Sequence, residues 1–178
     1  MAWTLAALLL LLPLVAMQFT NEVDWDAADF TIFGAMLLIA GAAFEAASRM
    51  SGNKAYRAAV GVALAAAFIL VWMNLAVGII GTEDDPANLM FGGVLAIGLI
   101  GVVISRFRPD GMARALVATA LAQASVGVVA LVIGSGSKES IWPGEPLILT
   151  GVFAELWLVS AWLFRKAARE QIPTAAAP

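Results

Sequence analysis

The sequence predicts an all-α protein, a polytopic transmembrane helical bundle whose six spans form three helical hairpins in parallel repeat. Three observations predict it. Hydrophobic residues make up 62% of the 178 and charged residues 13%, where soluble domains carry about 25% charged residues. Six apolar runs near the length that crosses a bilayer, about 20 residues for about 30 Å of hydrocarbon, follow one another at short intervals. The polar stretches between them alternate between basic and acidic, as successive crossings require.

The first run, Trp3 to Phe19, has no Lys or Arg before it and so reads as a retained span rather than a secretory signal. Pro13 in its middle removes a backbone donor and crowds the preceding turn, which predicts a kink. The others are Thr31 to Ser48, Ala58 to Ile80, Leu89 to Ser105, Met112 to Gly134 and Pro146 to Phe164. Lipid offers unpaired backbone groups no partner, so each run is expected to be helical. Barrel strands would alternate with period two, and Leu8 to Leu12 or Ala63 to Leu70 do not. One transmembrane domain over residues 1–171 is expected, followed by a frayed tail, 172–178.

Orientation follows from the positive charges. Nine of ten fall on one side: Arg49, Lys54 and Arg57; Arg106, Arg108 and Arg114; Arg165, Lys166 and Arg169. Lys138 alone lies opposite, among the acidic loops that hold Glu22, Asp24, Asp26 and Asp29, Glu83, Asp84 and Asp85, and Glu139 and Glu145. Both termini are therefore expected in the cytoplasm. Trp3, Trp25, Trp142 and Trp162 stand at or near span ends, where amphipathic rings anchor, whereas Trp72 and Trp157 are deeper.

A self-similarity of 57 or 58 residues suggests the repeat. VALAAA (Val62 to Ala67) matches TALAQA (Thr119 to Ala124), and DAADFTIFGA (Asp26 to Ala35) matches DDPANLMFGG (Asp84 to Gly93). Gly34, Gly92 and Gly151 begin the descending spans, and Arg49, Arg106 and Arg165 close them. Because the period holds two spans, successive copies point the same way, which disfavours an inverted-repeat transporter core.

Small residues at three- and four-residue spacing mark helix contact faces in lipid. Span three carries Ala63, Ala67, Asn74, Gly78 and Gly81; span five Ala120, Gln123, Ala124, Gly127 and Gly134; span two Gly34 and Gly41. Gly92 with Ala96 and Gly101 with Ser105 are the packing pairs of span four. Four strongly polar residues lie within spans. Glu45 is one turn from Arg49, the spacing of an interfacial ion pair. Asn74 suits an interhelical hydrogen bond. Glu155 and Gln123 are each central to their spans, so both are expected near the bilayer midplane. Ionising a carboxyl there is costly, which leaves two readings: polar glue bonded to Gln123, or a proton or cation site. The matching positions in the earlier copies hold Ala66 for Gln123, and Ile97 and Leu38 for Glu155.

Other chemistry is sparse. With no Cys and no His, thiolate catalysis, disulfides and the usual zinc and haem ligands are excluded, and no cofactor or metal is expected. GxGxxG, GxxxxGK[ST] and GxSxG do not occur. A retinal Schiff base would need a Lys inside a span, and Lys54, Lys138 and Lys166 all lie outside. The acidic loop GTEDDPAN, Gly81 to Asn88, lacks the spaced ligands of a calcium loop and reads as a solvated turn. A formal charge of -3 argues against nucleic acid as a partner. The expected partners are the lipid bilayer and a second membrane protein or another copy.

The stretches AYRAAVGVALAAAF (Ala55 to Phe68), VWMNLAVGIIGTEDDPANLM (Val71 to Met90) and RFRPDGMARALVATALAQA (Arg106 to Ala124) resemble a family of small bacterial inner-membrane proteins with no assigned function. That family's loop reads EDNPANLM, from which Asp85 departs by adding a charge. The likeness covers roughly Ala40 to Ala130. It implies a bacterial cytoplasmic membrane location and transfers no catalytic residues; Asn74 falls within it and Glu155 outside. The function expected is a non-enzymatic packing, accessory or assembly subunit of a membrane complex or homo-oligomer. The alternative is a small proton- or cation-linked transporter or channel using Glu155, Gln123 and Asn74, and an enzyme or pigment-binding protein comes third.

Overall fold

The computed structural model of the protein describes residues 2–20, 22–80, 85–133 and 145–171. Among the described residues every regular element is helical: α1 (Ala2–Ala16), α2 (Ala27–Met50), α3 (Lys54–Ala76), a 3-10 turn (Pro86–Asn88), α4 (Leu89–Ser105), α5 (Pro109–Ile133) and α6 (Glu145–Gln171). Five segments, α2, α3, the 3-10 turn together with α4, α5 and α6, are long and apolar enough to cross a membrane, which makes this a membrane protein. The sixth expected span falls short. At 15 residues α1 is about 22 Å long, against about 30 Å of hydrocarbon.

Helix ends follow local capping more closely than they follow the apolar runs. Helix α2 starts four residues before the run because Asp26 caps it: its Oδ1 accepts from Ala28 N–H (2.7 Å) and Asp29 N–H (3.0 Å). In return Asp26 N–H donates to Asp29 Oδ2 (3.0 Å), a reciprocal capping box. Asn53 caps α3 likewise, accepting from Tyr56 N–H at 2.9 Å. The same helix ends at Ala76, short of the expected Ile80, because Gly78 takes a left-handed φ of 71° and its N–H reaches back to Met73 O (3.0 Å). Pro109 opens α5 at a position where its missing N–H costs nothing. Helix α6 outruns its apolar stretch by seven residues, since RKAAREQ consists of good helix formers. Lys138, Gly134, the loop residues Glu83 and Asp84, and the tail 172–178 lie outside the described residues.

The helices fall into two compact units, α1–α2 and α3–α6. In the first, α1 runs antiparallel to α2 over its glycines. A Cβ on Gly34 would stand 3.7 Å from Leu10 Cδ1, and one on Gly41 would stand 3.3 Å from the Trp3 ring. Pro13 is accommodated inside α1, buried, with its carbonyl accepting from Met17 N–H at 2.9 Å. Trp25 sets its ring edge-on to Phe30 and Phe33, both with centroids 5.3 Å away.

In the second unit α5 lies between α4 and α6, and α6 between α5 and α3. The body of α3 therefore packs on α6 rather than on α4, its neighbour in sequence, so the three equivalent hairpins of the expected repeat are not reproduced. The reason is in the contact faces. Ala59 and Ala66, both at 0% exposure, present bare backbone, and the buried Ser160 hydroxyl of α6 donates to Ala59 O at 2.7 Å. Helices in lipid are held by such close approach and hydrogen bonding, not by apolarity that lipid would match. Near the two ends of α4, polar side chains tie it to α3 and to the chain that follows α3. Tyr56 Oη donates to Phe107 O (3.2 Å) beyond the end of α4, and Asn88 just before α4 binds the chain that follows α3. Tyr56 also packs edge-on against Phe164 of α6, centroids 5.1 Å apart.

Candidate functional site

The polar residues singled out within the spans are distributed over separate surfaces. Gln123 sits on the buried stripe of α5, Met112, Leu116, Thr119, Ala120, Gln123, Val126 and Ala130, and is 0% exposed. This stripe keeps the i, i+3, i+4 spacing that small residues announced. Gly127, one turn on, takes α5 against α6 so closely that a Cβ there would overlap Thr150 Oγ1. The hydroxyls nearby turn back on their own helices: Thr119 donates to Ala115 O (3.0 Å) and Thr150 to Leu147 O (3.1 Å).

That leaves the carboxamide alone. Among the described residues neither Gln123 Nε2 nor Oε1 has a hydrogen-bond partner, and neither does the Nε1 of Trp157, which is 3% exposed on α6. An unpaired buried polar group costs about 1–3 kcal/mol. Gln123→Leu fills a similar volume without the penalty and is expected to raise the thermal unfolding temperature in detergent by several degrees. A lowered temperature would mean that the amide has a partner in the folded protein.

Glu155 lies elsewhere. It is exposed on α6, on a stripe with Ile148, Gly151, Leu158 and Trp162, while Thr150, Phe153, Trp157, Ser160 and Phe164 form the buried face. It makes no hydrogen bond or ion pair among the described residues, so Glu155 and Gln123 are not brought together within the chain. Asn74 is half-buried; its Nδ2 donates to Leu70 O of its own helix at 2.8 Å, and its buried Oδ1 is unpaired. It touches neither of the other two by hydrogen bond.

Glu45 and Arg49 are joined, Oε1 to guanidinium at 2.5 Å. The other carboxylate oxygen accepts from Trp3 Nε1 at 3.0 Å. Sequence reasoning did not anticipate this Trp3 contact, although Trp3 stands at the span end that an antiparallel hairpin brings opposite Glu45.

The small-residue pairs of α4 divide. Gly101 faces α5, where a Cβ would come within 2.5 Å of Ala115 Cβ, and Ser105 packs beside Gly111, where a Cβ would lie 2.6 Å from the serine Cβ. Gly92 and Ala96 are exposed, and a Cβ on Gly92 would meet nothing within 4 Å. Among the described residues no three Asp or Glu side chains converge as a metal site. No family model matches the chain, and no curated protein or solved structure is significantly similar to it.

Proposed function

We propose that the chain is an accessory or assembly subunit of the bacterial cytoplasmic membrane, with both termini in the cytoplasm, and that α6 docks through its outer stripe on a second copy or another membrane subunit. One observation carries this reading: Glu155, without a hydrogen-bond or ion-pair partner among the described residues, is exposed on an apolar helix. A carboxyl group facing hydrocarbon is expensive, and a neighbouring helix that offers a hydrogen bond removes the cost. Gly151, one turn earlier on the same stripe and with nothing within 4 Å of its Cβ position, leaves room for a partner's backbone to approach. The bare surface of Gly92 and Ala96 on α4 supplies a second such face. The resemblance to small inner-membrane proteins supports the location.

The chain has no Cys, so a single introduced thiol reports its own neighbours without interference. Leu158→Cys in native membranes is expected to cross-link into one discrete product, at twice the chain mass for self-assembly and at another fixed mass for a different subunit. Adding Glu155→Leu should abolish that product while the chain remains folded and inserted. A Leu158→Cys chain that gives no discrete product would refute the docking face. A Glu155→Gln chain separates assembly from proton-linked transport, because in vesicles assembly predicts that a pH-driven flux is neither present nor changed.

A further inference from the structure

At the turn between α4 and α5 the structure holds an open cavity of about 1020 Å³. Arg106, Arg108 and Arg114 are among the residues that line it. Among the described residues of the lining Asp110 alone is acidic, so three basic side chains are gathered with one acidic one. None of the three arginines has an ion-pair partner among the described residues. Arg114 Nε is held on Asp110 O at 3.4 Å, which orients the guanidinium without neutralising it. The first turn of α5 adds the positive end of a 25-residue helix.

The backbone is bent to produce this arrangement. Arg106 and Phe107 both take left-handed conformations, φ 50° and 61°, which L side chains rarely adopt and never adopt cheaply in succession. Arg106 N–H to Val103 O (3.1 Å), Arg108 N–H to Ser105 O (3.0 Å) and the Tyr56 hydroxyl on Phe107 O (3.2 Å) hold the turn. As a result Arg106 and Arg108 both line the cavity, while the residue between them, Phe107, does not and is 45% exposed. The lining also has an apolar side that includes Ile104, itself 76% exposed.

We propose that this cavity binds a phosphate oxyanion, with the three arginines as donors and the apolar flank beside Ile104 receiving what is attached to it. Planar guanidiniums match the oxygen geometry of phosphate, and uncompensated positive charge beside hydrocarbon is what an anionic lipid headgroup complements. A phospholipid headgroup and a free phosphate share this chemistry; the flank beside Ile104 favours the lipid. The site stands independently of the docking face on α6 and requires only that the chain is membrane-embedded.

The test is native mass spectrometry of the full chain from mixed micelles of phosphatidylglycerol and phosphatidylcholine. Wild-type protein is expected to retain phosphatidylglycerol with at least about tenfold preference. The variant with Arg106, Arg108 and Arg114 all changed to Gln should lose that preference. A control with Lys54, Arg57 and Lys166 changed to Gln carries the same change in charge on exposed positions outside the cavity and should keep it. Equal loss in both variants, or no preference in the wild type, overturns the site for lipid. Inorganic phosphate is the second arm: a phosphate adduct on the wild type and the control but not on the arginine variant, without lipid preference, assigns the site to a soluble anion. Failure of both arms overturns the proposal. Should the triple variant unfold, Arg108→Gln alone is read for a partial loss in the same assay.

Discussion

Gly127→Leu is expected to force α5 and α6 apart and to destabilise the chain by about 3 kcal/mol or more, at the upper end of what overpacking costs. Even the first added carbon would collide with Thr150 Oγ1, and its next neighbours, Thr150 Cβ at 3.2 Å and Leu147 Cδ2 at 3.5 Å, leave no direction in which to yield. Thr150 cannot swing aside freely, because it is 1% exposed and bonded to Leu147 O. The contact joins two helices in the middle of a row, so separating them also releases α4 on one side and α3 on the other. Gly93→Leu on α4 is the matched control, since nothing lies within 4 Å of its Cβ position. Thermal unfolding in detergent should show a large loss for Gly127→Leu and almost none for Gly93→Leu. Equal melting of the two variants would contradict the close approach of α5 and α6.

Asn88→Ala should rank next, with a loss of about 2–3 kcal/mol. One side chain here serves three backbone groups. Its Oδ1 accepts from Ile79 N–H (3.1 Å) and Ile80 N–H (3.0 Å), and its Nδ2 donates to Ile80 O (3.1 Å). Ile79 and Ile80 are 4% and 0% exposed, so their backbone groups have little water to turn to once the amide is gone. Asn88→Asp keeps the acceptor and loses the donor, and is expected to fall between wild type and alanine in chemical unfolding. If aspartate proved as harmful as alanine, the two N–H bonds would not be carrying the stability.

The helices were legible in the sequence because a bilayer demands long apolar runs, and α4 was legible to both ends because polar residues stand directly at its borders. Other ends were missed where polar residues belong to the helix. Asp26 and Asn53 are caps, Gly78 stops α3, and Arg165 to Gln171 continue α6 as a polar extension. The burial of Gln123 was legible from Ala120 and Gly127 on its stripe. The direction of Glu155 was not, because in lipid the outer face of a helix is as apolar as its inner face and amphipathic periodicity fades. Gly92 and Gly101 make the same point. They are nine positions apart, 101 minus 92, or two and a half turns, which places them on opposite sides of α4. Identical small-residue patterns thus mark an inner contact and a bare surface. Asn88 was read as part of a solvated loop, since nothing local distinguishes a loop Asn from one whose amide closes the end of another helix.

Within its unit helix α4 packs along its length chiefly on α5, with Leu89 79% and Ile104 76% exposed near its two ends. At 17 residues it spans about 26 Å, or about 32 Å with the 3-10 turn that leads into it, whereas α6 at 27 residues spans about 40 Å. Two helices of one unit therefore ask for different hydrocarbon thicknesses. Helix α6 ends in polar turns, so a change of thickness can be taken up there and by tilt. Helix α4 with its preceding turn about matches 30 Å of hydrocarbon, and a thicker bilayer is met by thinning of the lipid around it. The chain length of the surrounding lipids is therefore expected to bear more on the α4 side of this unit than on α6.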